Sequence, residues 1–360
     1  MEPGKVFYTV LNMGLGHATR SLPLIREFLR RNWQVLLGSS GRALEFLKTE
    51  LPGVPFVVIP DYQLEYSRRG WLIPKLTLQF PRLLKKINEE QLFCREVIKN
   101  FQADLIISDQ CYGIYHPTIP SYFISHQIFF AMPAGLATLG PLAARLNRRF
   151  HKNFTRIIIP DLPGAEGGLL SGSLSRLPRD HQQYEFGGIL SSVTHQEIDD
   201  PLDLLVSISG PEPQRSVFEQ KILKQIENVP GKKVVALGKS ESTKMIRDSA
   251  GLQIYSHIPR REMARLFNRA RLIVSRPGYS TLMELAELGK QALLIPTPGQ
   301  TEQLSLARHA REKNWFFSVA QGKLNLPRDI EIARQYAGLF KPDVTAWSVR
   351  NIFDNILNLK

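Results

Sequence analysis

"KVFYTVLNMGLGHATRSLPLIREFLRR", residues 5–31, runs from a β-rich apolar stretch through a glycine-punctuated turn into a basic amphipathic segment. Strand, glycine turn, helix is the order in which a Rossmann-type domain offers backbone amides to a phosphate. The spacing, however, is G-x-G-H, with Gly14, Gly16 and His17 followed by Arg20. A dinucleotide fingerprint needs G-x-G-x-x-G and an acidic residue at the end of the second strand. "QVLLG" (34–38) ends in no such residue, which excludes a dinucleotide oxidoreductase. The turn reads instead as one that holds His17 at a reaction centre, the plainer alternative being a histidine that caps the first helix.

Outward from this unit the same alternation recurs. "KVFYTVLN", "QVLLGSS", "FVVIPDY", "ADLIISD", "PSYFISH" and "RIIIPD" are continuously apolar, as strands buried on both faces of a parallel sheet should be. Helical patterns at 17–31 and 82–100 lie between them. An α/β domain is expected over 1–165. A Gly/Pro/Ser-rich connection follows at 166–200. The alternation then restarts with "LDLLVSISG", "KKVVALG", "LQIYSHI", "ARLIVSRPG" and "QALLIPTPG", giving a second parallel α/β domain over 201–330. The segment 331–360 is expected to be a helical tail packing back across the domains. At 360 residues, two cores are the natural expectation.

Composition narrows the partners. The net charge is +13, from 46 Lys and Arg against 33 Asp and Glu, which favours phosphates, nucleic acid or an anionic surface. No nucleic-acid module is present, so no nucleic-acid partner is expected. Basic and apolar residues mix in "YSRRGWLIPKLTLQFPRLLKK" (66–86) and "IFFAMPAGLATLGPLAARLNRRFHK" (128–152). Such stretches can lie on an anionic membrane, or can be core helices with solvated basic faces. Only Cys94 and Cys111 occur, without a disulfide framework or zinc pattern. With no signal peptide and no membrane-spanning run, a cytoplasmic protein is expected, able to sit at the inner face of the membrane.

Three strand ends in the second domain carry chemistry. In "VSISGPEPQ" (206–214), Ser209 and Gly210 form a small turn ahead of a helix, an anion seat. In "IVSRPGYSTLMELAELG" (273–289), Arg276 and Gly278 precede a helix opened by Tyr279, Ser280 and Thr281, whose amides suit a diphosphate. Glu284 lies about one turn into that helix, where a carboxylate can bind a ribose diol. In "PTPGQTEQLSLA" (296–307), Glu302 and Gln303 set a carboxylate and an amide side by side, matching the hydroxyls of a sugar. Each of these residues alone is as readily a surface residue; their order is the specific signal.

Residues 257–307, "HIPRREMARLFNRARLIVSRPGYSTLMELAELGKQALLIPTPGQTEQLSLA", resemble the C-terminal domain of family 28 glycosyltransferases, the MurG-like and glycolipid-synthase-like enzymes. "NMGLGH" (12–17) and "IPSYFISHQ" (119–127) resemble that family's acceptor-side motifs. The resemblance implies a GT-B fold, two Rossmann-like α/β domains facing a cleft. By position it implies that the Ile258 backbone meets the nucleobase and Glu284 the ribose. It gives the diphosphate to Gly278–Ser280 and the Ser209–Gly210 turn, and the donor sugar to Glu302 and Gln303. His17, His126 and Gln127 would face the acceptor. The sequence departs from the pattern at Pro277, where serine is frequent, and at Leu304, where MurG has a second glutamine.

The expected reaction is transfer of a hexose or N-acetylhexosamine from a nucleoside diphosphate, UDP above all, to a glycan or lipid-linked acceptor of the cell envelope. A neutral imidazole suits deprotonation of a hydroxyl, so His17 is the candidate base; Asp109 is its orienting partner or the alternative base. Helix N-termini can stabilise the departing diphosphate, and no D-x-D motif occurs, so an inverting transfer without metal or other cofactor is expected. A nucleotide-sugar hydrolase using water as acceptor is the alternative.

Overall fold

The computed structural model describes residues 4–62, 72–132, 134–239, 244–249, 251–339 and 343–359. The chain divides into two compact units, Met1–Ser192 with Val344–Lys360, and Val193–Asp343.

The first unit follows the apolar runs. Its elements are β1 (Lys5–Val10), α1 (Gly16–Arg30), β2 (Gln34–Ser39), α2 (Gly41–Glu50), β3 (Phe56–Val58), α3 (Leu72–Phe101), β4 (Leu105–Asp109), β5 (Ser121–Ile124), α4 (Gly140–His151) and β6 (Arg156–Ile159). A two-residue hairpin, β7 (Pro163–Gly164) and β8 (Gly167–Gly168), precedes β9 (Tyr184–Phe186). The sheet order is β3-β2-β1-β4-β5-β6-β9, with every pair parallel. Successive residues of β1 serve opposite faces. Phe7 joins the core that includes Cys94 and Ile98 of α3, while the Tyr8 ring meets Phe28 of α1 at 6.4 Å. Strand order reverses between β1 and β4, whose last residues, Val10 and Asp109, are register partners. That reversal is the position where open α/β sheets bind ligands.

The first unit is larger than the sequence suggests. The Gly/Pro/Ser-rich stretch is not a free connection. Buried Asp161 accepts hydrogen bonds from the amides of Leu162 (2.8 Å) and Ser171 (2.9 Å) and from the Ser171 hydroxyl (2.6 Å), closing the stretch over the end of β6. β9 then extends the sheet beside β6. The tail joins this unit as well. Its helix α10 (Val344–Asn351) comes so close to Gly188 that a Cβ there would lie 2.2 Å from Ser348 Oγ, at a φ of +98° that already favours glycine. Beyond α10, the tilted Phe353 ring meets Phe28 at 4.6 Å and Asp354 pairs with Arg31. Residues 66–71 of the first basic–apolar stretch lie outside the described residues, as do the side chains of 72–80.

The second unit repeats the plan. It comprises β10 (Leu202–Ser207), α5 (Gln214–Leu223), β11 (Lys233–Ala236), β12 (Met245–Ser249), β13 (Leu252–Tyr255), α6 (Arg260–Arg269), β14 (Ala270–Ser275), α7 (Tyr279–Leu288), β15 (Gln291–Leu294), α8 (Thr301–Glu312), β16 (Phe317–Ser318) and α9 (Leu326–Ala333). The order is β12-β13-β11-β10-β14-β15-β16. All pairs are parallel except the edge strand β12, which the sequence pattern does not announce because its five residues are all exposed. Leu204, Val206, Val274, Leu293 and Ile295 form one apolar face with Phe218 and Ile222 of α5. Among the described residues no helix is long and apolar enough to cross a membrane. Both cysteines are free and buried.

Candidate active site

The glycine turn after β1 places α1 so that its first face looks onto the end of β4. His17, Arg20 and Ser21 share one helical stripe at i, i+3 and i+4. The stripe continues into Leu24, Ile25 and Phe28, which are buried. Gly14 has a φ of +75°, with open space where a Cβ would be, so the turn requires glycine for its conformation rather than for room.

All three polar residues of the stripe converge on Asp109, which is fully buried. His17 Nδ1 lies 2.8 Å from Asp109 Oδ1. Arg20 Nε donates to Oδ2 at 2.7 Å, Arg20 Nη2 donates to Oδ1, and the Ser21 hydroxyl donates to Oδ2 at 3.1 Å. Burial by itself would raise the Asp109 pKa, but the charge of Arg20, then that of His17, outweighs it and holds the carboxyl well below the usual range. From the loop after β5, His126 brings Nδ1 to 3.0 Å from Arg20 Nη1. The His126 backbone is braced in turn, its carbonyl accepting a 2.6 Å hydrogen bond from Ser175. The structure therefore gathers His17, Arg20, Asp109 and His126 at one sheet edge. Gln127 lies beside them, with its carbonyl held by Asn147 at 3.1 Å. An ionised carboxylate on Nδ1 of an imidazole orients the ring and supports a positive charge forming on it, the arrangement of a general base.

In the second unit the expected donor residues also lie at carboxyl ends of strands. Ser209 and Gly210 follow β10 and are exposed, Gly210 at a φ of +115°. Ile258 follows β13 and is buried. α7 opens on Gly278, which has no side chain to cap the amides of the first turn. Ser280, Thr281 and Glu284 are half-buried on that helix, whereas Tyr279 is buried. Glu302 is half-buried at the start of α8; Gln303 is buried, and its Oε1 accepts the Thr297 amide at 2.8 Å, leaving its NH2 as the group able to read a ligand.

Arg276 departs from its expected place among the donor contacts. Its guanidinium is 2% exposed and engages Ser209 O (3.4 Å), Ile295 O (2.9 Å), Gln214 O (3.1 Å) and Gln321 Oε1. It also lies 4.3 Å from the Phe218 ring centroid. Four of its five N–H groups are thereby taken by protein oxygens. Burial draws its pKa down to about 10, so it stays charged at neutral pH. Arg276 ties three loops and the start of α5 together; Gln214 and Gln321, which complete the knot at 2.9 Å from each other, carry no sequence signal of this role. Ser21, by contrast, could be found from its i+4 spacing to His17. Thr297 has a buried hydroxyl without a partner, and ordinary Pro-x-Pro loop spacing conceals it. Among the described residues no His, Cys, Asp and Glu cluster could hold a metal ion.

The comparisons agree with this architecture. Residues 214–325 match the glycosyltransferase family 28 C-terminal domain. A curated relative from Methanosarcina acetivorans, named an uncharacterized glycosyltransferase, is 23% identical over 333 residues, covering 86% of this chain and 84% of its own. The structure is similar to the kitacinnamycin glycotransferase, with a TM-score of 0.66 at 14% identity, covering 97% of this chain and 94% of that one. It is similar to Acinetobacter baumannii MurG, with a TM-score of 0.57 at 15% identity, covering 96% and 98%. Two Rossmann-like parallel sheets of this kind make up the GT-B fold, to which these solved structures are similar. It is the second unit that carries the match to the family 28 C-terminal domain.

Proposed function

We propose that this glycosyltransferase moves a hexose or N-acetylhexosamine from a uridine diphosphate donor to a glycan or lipid-linked acceptor, with inversion and without a metal. The observation that carries the reading is the contact of His17 Nδ1 with buried Asp109 at the strand-order reversal of the first sheet. His17 Nε2 takes the proton of the acceptor hydroxyl as its oxygen attacks the anomeric carbon. The bond from that carbon to the diphosphate breaks, and the electron pair leaves on the diphosphate oxygen. Asp109 supports the imidazolium so formed. The first-turn amides of α7 and the Ser209–Gly210 turn receive the diphosphate charge. Glu284 binds the ribose, the Ile258 backbone the base, and Gln303 with Glu302 the sugar. A lipid-linked acceptor suits α4, where Leu142, 66% exposed, stands near the exposed Arg145 and Arg149.

A thermal-shift panel of nucleoside diphosphates and their sugars tests the donor, with uridine compounds expected to raise the melting temperature most. Transfer to acceptor, followed with the best donor, should fall to background in His17→Ala while donor binding persists. Equal stabilisation by every base, or rapid release of free sugar with water alone, would replace this reading with a different donor or with the hydrolase. Co-sedimentation with anionic vesicles that fails even at low salt would remove the membrane-bound acceptor.

A further inference from the structure

The ladder between β4 and β5 ends at the register pair Asp109 and Ile124. One residue further, a side-chain bond takes over: Gln110 Nε2 donates to Ser125 Oγ at 2.6 Å, and both residues are buried. Gln110 stands at a φ of +65°, a left-handed backbone that glycine adopts freely and that is disfavoured for glutamine. There the chain doubles back, and the Ser108 hydroxyl donates to the Cys111 carbonyl at 2.6 Å and lies 3.2 Å from the Cys111 amide. The turn by itself favours glycine; what glutamine adds is an amide that reaches Ser125. The Ser125 hydroxyl is then used to its full capacity. Besides the Gln110 bond it accepts the Gln127 amide at 3.1 Å and donates to the Gln127 carbonyl at 3.3 Å. Closed on itself in this way, the turn carries His126 between its two ends, and the Ser175 bond to the His126 carbonyl braces it further.

We propose that Gln110 is a positioning residue whose side chain fixes the Ser125–Gln127 turn beside Asp109, and thereby sets where the acceptor meets the His17–Asp109 pair. Backbone strain persists only where the surrounding contacts over-determine it. Here it lies one residue from the carboxylate proposed to support the base. Asp109 is fixed in the sheet, its carbonyl accepting the Leu11 amide at 3.0 Å. A rigid strand end therefore holds the turn through one short bond, and the turn is held relative to the same residue that orients His17. A displacement of about 1 Å between acceptor and base is enough to cost roughly 10²-fold in rate. The kinetic consequence rests on the reading of His126 and Gln127 as acceptor-side residues; the holding of the turn does not.

The test compares the full chain with Gln110→Asn, Gln110→Gly and Ser125→Ala. Asparagine tolerates the left-handed backbone but is one methylene too short to reach Ser125, and glycine adopts that backbone without strain. In both Gln110 variants kcat/KM for the acceptor should fall about tenfold or more, with donor affinity within about twofold of wild type. Amide hydrogen exchange reads the turn directly. The Gln127 amide should exchange about tenfold faster or more, while the Ser125 amide, held by the Ile158 carbonyl, stays within about twofold. Because Gln110 acts through Ser125, adding Gln110→Asn to Ser125→Ala should cost the acceptor kcat/KM less than about a further twofold. Unchanged Gln127 exchange in the Gln110 variants would overturn the proposal, as would unchanged acceptor kinetics, losses that multiply in the double variant, or an equal loss of donor affinity. Ser125→Ala, which leaves the backbone at residue 110 alone, decides by the same two readouts if the Gln110 variants do not fold. Faster Gln127 exchange in a protein whose wild type transfers no sugar would instead refute only the reading of the reaction.

Discussion

Each unit buries one arginine at the carboxyl edge of its sheet, and the two are satisfied in opposite ways. Arg20 meets a carboxylate, Asp109, and lies within hydrogen-bond distance of two imidazoles, those of His17 and His126. Arg276 meets only carbonyl and amide oxygens, and among the described residues it forms no ion pair. A buried cation matched to an anion can turn its remaining donors to groups that react. One satisfied by neutral oxygens must spend its donors on the fold, because each oxygen supplies only a fraction of the compensation. The first arginine therefore sits among the groups proposed to react, and the second shapes the loops that are proposed to receive the donor.

Breaking the charged pair should have the largest effect. Asp109→Asn leaves Arg20 buried without its anion and removes the support for the His17 proton. Turnover should drop by about 10³–10⁴-fold and stability by about 3–5 kcal/mol, read from steady-state rates and a denaturant midpoint. His17→Ala separates the two consequences, with turnover down by about 10²–10⁴-fold and the unfolding midpoint nearly unchanged. Arg276→Met should invert that pattern in the second unit. Its unfolding should become easier by about 2–4 kcal/mol as four oxygens lose their donor, with donor affinity weakened through the displaced loops.

A second buried carboxylate sharpens the comparison. Glu90 accepts hydrogen bonds from the Gly113 amide at 2.8 Å and from the Tyr62 hydroxyl, but among the described residues no cation pairs with it, and burial pushes its pKa up to about 8. The folded state then holds a proton that the unfolded chain has released. Its contribution is complete below the ordinary carboxyl range near 4.5 and is lost as the pH rises through 8. Glu90→Gln should remove this slope, matching wild type near pH 4.5 and exceeding it above pH 8 by up to about 5 kcal/mol, measured as denaturant midpoints across the range. The smallest effect belongs to the surface. Arg30 pairs with Glu27 in the solvent, and Arg30→Ala should leave both midpoint and turnover as they are.

Legibility in the sequence follows the range of the interactions. Parallel strands announce themselves as continuous apolar runs because both faces are covered, and the glycine turn marks where α1 begins. His17 in its glycine turn and Asp109 at a strand end could be singled out, Asp109 as an orienting partner or alternative base. That Arg20 joins Asp109 to His126 could not, since Arg20 lies 89 residues from Asp109 and 106 from His126. The Gly/Pro/Ser-rich stretch reads as a linker because its composition breaks helices, yet one buried carboxylate, Asp161, folds it into the first unit. Arg276 reads as one of the donor contacts because it stands in the turn just before the helix start whose amides suit a diphosphate.

The sequence alone determined the two α/β repeats, the family likeness of the second, and a histidine held in a glycine turn, because periodicity and local turn chemistry are written within a few residues. Which arginine faces a carboxylate, which is consumed by carbonyls, and how two distant histidines come to lie beside the first of them were decided only by the tertiary structure. Charge burial and hydrogen-bond complementarity act between neighbours in space, and those neighbours exist only once the sheet has closed.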